Sequence, residues 1–153
     1  MAEEVELAKE LTAGLLERIG VQAEVKVALR EGELHLEIKG GQEGILIGRH
    51  GRTLDSFQFL INRMVNKRLE TPLRIVIDIN DYRKRKSENL EKMALRVAEK
   101  VKNKGQPLTI GPFDAYDRRL IHIALRKDPD VRTESLGEGK LKKIMIIPTQ
   151  SKK

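Results

Sequence analysis

The chain has 153 residues, 39% apolar and 35% charged, which suits one ordinary domain or two small ones with modest cores. It contains no cysteine, and this excludes disulfide frameworks, cysteine-ligated zinc and thiol catalysis. Its 30 Lys and Arg against 23 Asp and Glu give a net charge of +7, a balance that points to polyanions such as nucleic acid or an acidic membrane surface. The charge is unevenly spread: residues 1–43 sum to −5 and residues 44–153 to +12, so a polyanion is expected to meet one side only. The longest apolar run, Ile144 to Ile147, falls far short of the roughly 18 residues of a membrane helix, and no membrane insertion is expected. The acidic start Met-Ala-Glu-Glu-Val-Glu lacks the basic opening of a secretory signal, and a cytoplasmic protein is expected.

In chain order, Val5, Ala8, Leu11, Leu15 and Ile19 recur at helical spacing, with Gly20 as the stop. Val25, Val27 and Leu29 alternate with polar neighbours, Arg30 to Glu33 turn the chain, and Leu34, Leu36 and Ile38 alternate again, which predicts two half-buried strands. His35 falls on the polar face of the second strand. A short helical turn at Gly44–Ile47 leads to Gly48-Arg49-His50-Gly51, and a long helix is predicted from Arg52 to about Leu69 on an inner stripe of Leu54, Phe57, Ile61, Met64 and Val65. Ile75, Ile77 and Ile79 predict a third strand.

Asn80-Asp81 is the expected boundary between two α+β units, residues 1–80 and 81–150, with Asp81 as N-cap of the next helix. That helix, Tyr82 to about Asn103, opens on Arg83-Lys84-Arg85-Lys86 and has an apolar stripe at Leu90, Met93, Ala94, Val97 and Val101. A short extended piece follows at Leu108–Ile110, then a helix from about Asp114 to Arg126, and a hairpin of Val131–Leu136 with Leu141–Ile147. Ser151-Lys152-Lys153 reads as a frayed end.

Two glycines three apart before a helix let the backbone adopt positive φ and leave no Cβ to block a ligand. Helix-start amides suit a phosphate, and Arg49, His50 and Arg52 add donors there. Ile47 to Leu54, Ile-Gly-Arg-His-Gly-Arg-Thr-Leu, resembles the signature loop of a KH domain, and the order helix, strand, strand, helix, helix, strand (αββααβ) resembles its bacterial type II form. The resemblance implies that Gly48, Arg49, His50 and Gly51, with Arg52, clamp the backbone of a few single-stranded nucleotides, and that Ile45, Ile47 and Leu54 border an apolar groove for the bases.

In the second unit, Arg118 and His122 stand four apart on one helical face. Arg-x-x-x-His in a small basic α+β unit resembles the R-three-H domain, a binder of single-stranded nucleic acids. That implies phosphate binding by Arg118 and hydrogen bonding or stacking by His122, with Arg119, Arg126 and Lys127 nearby and Arg83, Lys84, Arg85, Lys86, Lys142 and Lys143 as auxiliary cations. The two units in this order resemble the Jag (SpoIIIJ-associated, KhpB) family of bacterial RNA-binding proteins. The match runs from Gly44–Lys67 through Ala115–His122 to Asp128–Val131 and Thr133-Glu134-Ser135.

The resemblance implies an RNA chaperone or regulator of single-stranded RNA (or single-stranded DNA), without catalysis, cofactor or metal. It also implies a small single-KH (KhpA-like) partner and roles in cell elongation, peptidoglycan homeostasis or sporulation. Because the first helical stripe begins near Glu3, the chain is expected to depart from the family in lacking its usual N-terminal extra domain and linker. Two rival readings have different consequences: a magnesium-dependent nuclease using Asp78 and Asp81, and duplex DNA binding through the basic helix from Tyr82.

Overall fold

The computed structural model describes residues 1–150. The expected frayed end at 151–153 lies outside them. The chain divides into two compact units, Met1–Arg83 and Lys84–Lys153.

The first unit has the order α1 (Ala2–Arg18), β1 (Ala23–Arg30), β2 (Glu33–Gly40), α2 (Glu43–Ile47), a single 3-10 turn at Arg49–Gly51, α3 (Arg52–Asn66) and β3 (Ile75–Ile79). The line of α1 that reaches the core is Ala8, Thr12 and Leu16, and Ile19, expected on the inner stripe, is 44% exposed. The helix has already closed at that point: the Val21 amide donates to Leu16 and the Gly20 amide to Glu17, a Schellman closure that puts Val21 into the core in its place.

Glu31 and Gly32, both at positive φ, form a two-residue hairpin turn of the kind that matches strand twist. β2 then pairs antiparallel with β1 and parallel with β3, in the order β1-β2-β3. The register sets Leu34 beside Ile75, Leu36 beside Ile77 and Ile38 beside Ile79, one apolar face against which α1 and α3 bury Ala8, Leu54, Ile61 and Val65.

The parallel pairing leaves β3 as an edge strand, and α3 covers that edge with amide side chains. Asn66 bonds both backbone groups of Leu73, Asn62 both of Ile75, and Gln58 Oε1 accepts from the Ile77 amide. Arg83 Nε donates to the Ile77 carbonyl and completes the row. Edge groups that would otherwise template another strand are thereby paired. The same bonds explain why α3 ends at Asn66 rather than near Leu69: the Asn66 amide holds the returning chain.

Asp81 does not cap the next helix. Its φ of 56° is left-handed, and the Arg83 amide donates instead to Asp78 Oδ1 at 3.3 Å.

The second unit contains α4 (Tyr82–Lys104), β4 (Leu108–Phe113), α5 (Ala115–Leu125), β5 (Val131–Leu136) and β6 (Lys142–Pro148), with strand order β4-β6-β5. The unit boundary falls inside the first turn of α4. β6 is central, and its Ile144 and Ile146 pack with Ala94, Ala98, Val101, Ile121 and Leu125. β4 extends beyond the expected Ile110. The ladder shifts across Gly111 and Pro112, whose ring carries no N–H, and resumes at Phe113 opposite Lys142. Asp114 caps α5 by accepting from the Asp117 amide at 2.8 Å.

Candidate nucleic-acid interface

The glycine loop is built so that only glycine fits at its two ends. Gly48 has φ 69° and ψ −169°, a region essentially closed to other residues, and a Cβ there would stand 2.0 Å from Thr53 Oγ1. Gly51 has φ 78° and lies buried beneath Tyr82, whose ring a Cβ would meet at 2.9 Å. Between them the side chains of Arg49 and His50 are exposed, as is Arg52 at the start of α3. His50 is itself left-handed at φ 57°. The N-cap of α3 is Gly51, which has no side chain to bind the first amides, so the positive end of this helix lies at the loop beside its cations.

Of the three residues expected to border a groove, Ile45 is 57% exposed beside the loop, whereas Ile47 retains 8% and Leu54 has none. Leu54 is corrected to a core residue: the third position of α3 points inward with Phe57 and Ile61, and its side chain cannot touch a bound strand. Asn80 fixes the approach to the loop. Its side chain bonds both backbone groups of Gly40 and donates to Glu43 Oε2 at 2.8 Å. Neither Asn80 nor Tyr82 was assigned a role from sequence, because each acts on a loop distant from it in the chain.

In the second unit, Arg118 Nη1 donates to the Phe113 carbonyl at 2.6 Å and the Lys140 carbonyl at 3.3 Å. These bonds fix the guanidinium plane and leave its Nε and Nη2 without a partner among the described residues. His122 is held from β5: Nδ1 lies 2.5 Å from Thr133 Oγ1 and Nε2 3.2 Å from Ser135 Oγ. Burial, and secondarily the Arg118 charge, lower its pKa below the ordinary imidazole value. Both ring nitrogens are thus within hydrogen-bond reach of hydroxyls on β5. Arg119, at the next position, is exposed.

Within the run Arg83-Lys84-Arg85-Lys86, the first and last side chains are tied to other elements. Arg83 is committed to Ile77, Asp55 and Gln58. Lys86 Nζ lies 3.0 Å from Asp117 Oδ2, whose side chain is 5% exposed. Lys84 and Arg85 are exposed, as is Lys143, and Lys142 is half-buried.

Asp78 Oδ1 accepts from the backbone amides of Ile79 and Arg83. Burial raises its pKa above the ordinary carboxylate value. No group of three or more potential metal-ligating side chains occurs among the described residues. No described helix is long and apolar enough to cross a membrane.

Residues 5–79 match the KhpA/KhpB KH-domain family, and residues 88–148 match the R-three-H domain. The RNA-binding protein KhpB of Clostridium symbiosum is 38% identical over 128 residues, which cover 84% of this chain and 58% of that protein. KhpB of Lactiplantibacillus plantarum is 28% identical over 132 residues, covering 86% of this chain and 41% of its own length. KhpB of Bacillus subtilis is 24% identical over 144 residues, or 93% and 69%. The chain therefore spans only about half the length of the first two of these relatives.

Proposed function

Because the chain belongs to the KhpB-type proteins, with a KhpA/KhpB KH domain followed by an R-three-H domain, we propose that it binds single-stranded RNA and performs no chemistry on it. The observation that carries the reading is the loop at 48–51: two positions where a side chain cannot stand, enclosing exposed Arg49 and His50 against an uncapped helix start. Such a loop admits the sugar–phosphate backbone closely and meets it with amides and cations. Exposed Ile45 offers apolar surface for a base beside it. The second unit adds phosphate contacts through the free edge of Arg118 and through Arg119.

The fitting role is that of an RNA chaperone or regulator with a small single-KH partner, serving cell elongation, peptidoglycan homeostasis or sporulation. Copurification of that partner tests the association. Competition between single-stranded and duplex oligonucleotides tests the binding mode. Single-stranded RNA is expected to displace a labelled single strand at least tenfold better than duplex of the same length, with affinity falling steeply as salt rises. Equal competition by duplex, or a flat salt response, overturns the proposal.

A further inference from the structure

The second unit carries an exposed stripe that the Arg-x-x-x-His pair does not include. On α5, Ile121, Leu125 and Asp117 face inward. The helical period then turns Tyr116, Arg119, Ile123 and Arg126, at the end of the helix, to the opposite side. Tyr116 is 67% and Ile123 46% exposed, and Arg119 and Arg126 are exposed as well. Among the described residues, neither arginine side chain has an ion pair or hydrogen bond. The only carboxylate within α5 is Asp117, which is buried on the other face and paired with Lys86. This surface thus combines an aromatic ring, an aliphatic side chain and two unpaired guanidinium groups with no anion among them.

That combination fits a strand with flat apolar bases and a charged backbone. Building on the proposed RNA binding, we infer that the solvent face of α5 is a base-stacking site for a single-stranded nucleotide. Tyr116 stacks on a base, Ile123 packs beside it, and Arg119 and Arg126 hold the flanking phosphates. Stacking on an aromatic ring is tolerant of sequence, because every base has a flat face, so the site adds affinity without demanding a particular base. The phenolic hydroxyl has no part in stacking, which separates the ring from the polar group in a test.

The test measures binding of the full chain to a single-stranded RNA labelled with 2-aminopurine, by anisotropy and by quenching of the stacked base, for wild type, Tyr116→Ala, Tyr116→Phe and the loop variant Arg49→Asp/His50→Asp. Tyr116 is too exposed for its loss to unfold the unit. The expected result is a loss of about tenfold in affinity and of most quenching for Tyr116→Ala, with Tyr116→Phe within twofold of wild type. If Tyr116→Ala binds as wild type while the loop variant fails, the stacking site is refuted and the loop reading stands. Loss in Tyr116→Ala with a fully active loop variant supports the stacking site and refutes the loop. Absence of RNA binding by the wild type overturns both. Cosedimentation with anionic vesicles that is abolished by Tyr116→Ala, while RNA binding is unchanged, reassigns the face to a membrane surface and refutes the inference.

Discussion

Asn62 offers a direct measure of how the first unit closes its sheet edge. Its side chain donates to the Ile75 carbonyl at 2.7 Å, accepts from the Ile75 amide at 2.9 Å and donates to the Gln58 carbonyl at 2.9 Å. Asn62→Ala removes all three and leaves both backbone groups of an edge-strand residue facing a methyl group. At about 1 kcal/mol net per hydrogen bond the loss is roughly 3 kcal/mol. The higher helix propensity of alanine returns about 0.5 kcal/mol, and partial water access limits the penalty on the orphaned groups, giving about 2 kcal/mol. Urea unfolding of the full chain, read together with hydrogen exchange at the Ile75 amide, measures the global and local effects. Ser56→Ala, on the exposed face of the same helix, serves as control and is expected within about 0.5 kcal/mol of wild type, as for ordinary surface sites. Wild-type stability and unchanged Ile75 protection in Asn62→Ala would refute the view that side-chain amides close this edge.

Gly48→Ala places a methyl in a glycine-only conformation and against Thr53, and is expected to destabilise the first unit by about 2–4 kcal/mol in urea unfolding. Gly14→Ala, with nothing near the new methyl, is expected to be neutral or stabilising. Lys86→Met strands the buried Asp117 carboxylate and is expected to cost the second unit about 3 kcal/mol, with most of it restored by adding Asp117→Asn. The depressed pKa of His122 means that the unfolded chain binds its proton more readily than the folded one. Stability of the second unit is therefore full above the ordinary value of 6.5 and declines as pH falls through the folded pKa. His122→Gln is expected to flatten that decline in pH-dependent hydrogen exchange, and an unaltered profile contradicts the assignment.

The order of elements was legible because periodicity reports burial directly: Leu34, Leu36 and Ile38, and Ile75, Ile77 and Ile79, alternate in sequence and face the core in the fold. The glycine loop was legible because its backbone demands leave a residue-type mark at Gly48 and Gly51. What sequence did not reveal depends on partners far along the chain. Arg83 and Lys86 look like two more solvated cations in a basic run, yet each is consumed by a partner on another element, Asp55 and Asp117 respectively. Leu54 is apolar whether it lines a groove or a core, and only the roll of α3 decides. The amide row Gln58, Asn62 and Asn66 does carry a sequence signal, polar amides at intervals of four, but its meaning requires knowing that β3 is an edge.

The central measurement is the affinity of Arg49→Asp/His50→Asp for single-stranded RNA. Aspartate is well suited to the left-handed backbone at position 50, and both side chains are exposed, so the variant keeps the loop while inverting its charge. At least a tenfold loss of affinity, with a shallower salt dependence as phosphate contacts disappear, is the predicted result. Wild-type affinity and salt slope in a normally folded variant contradict the account.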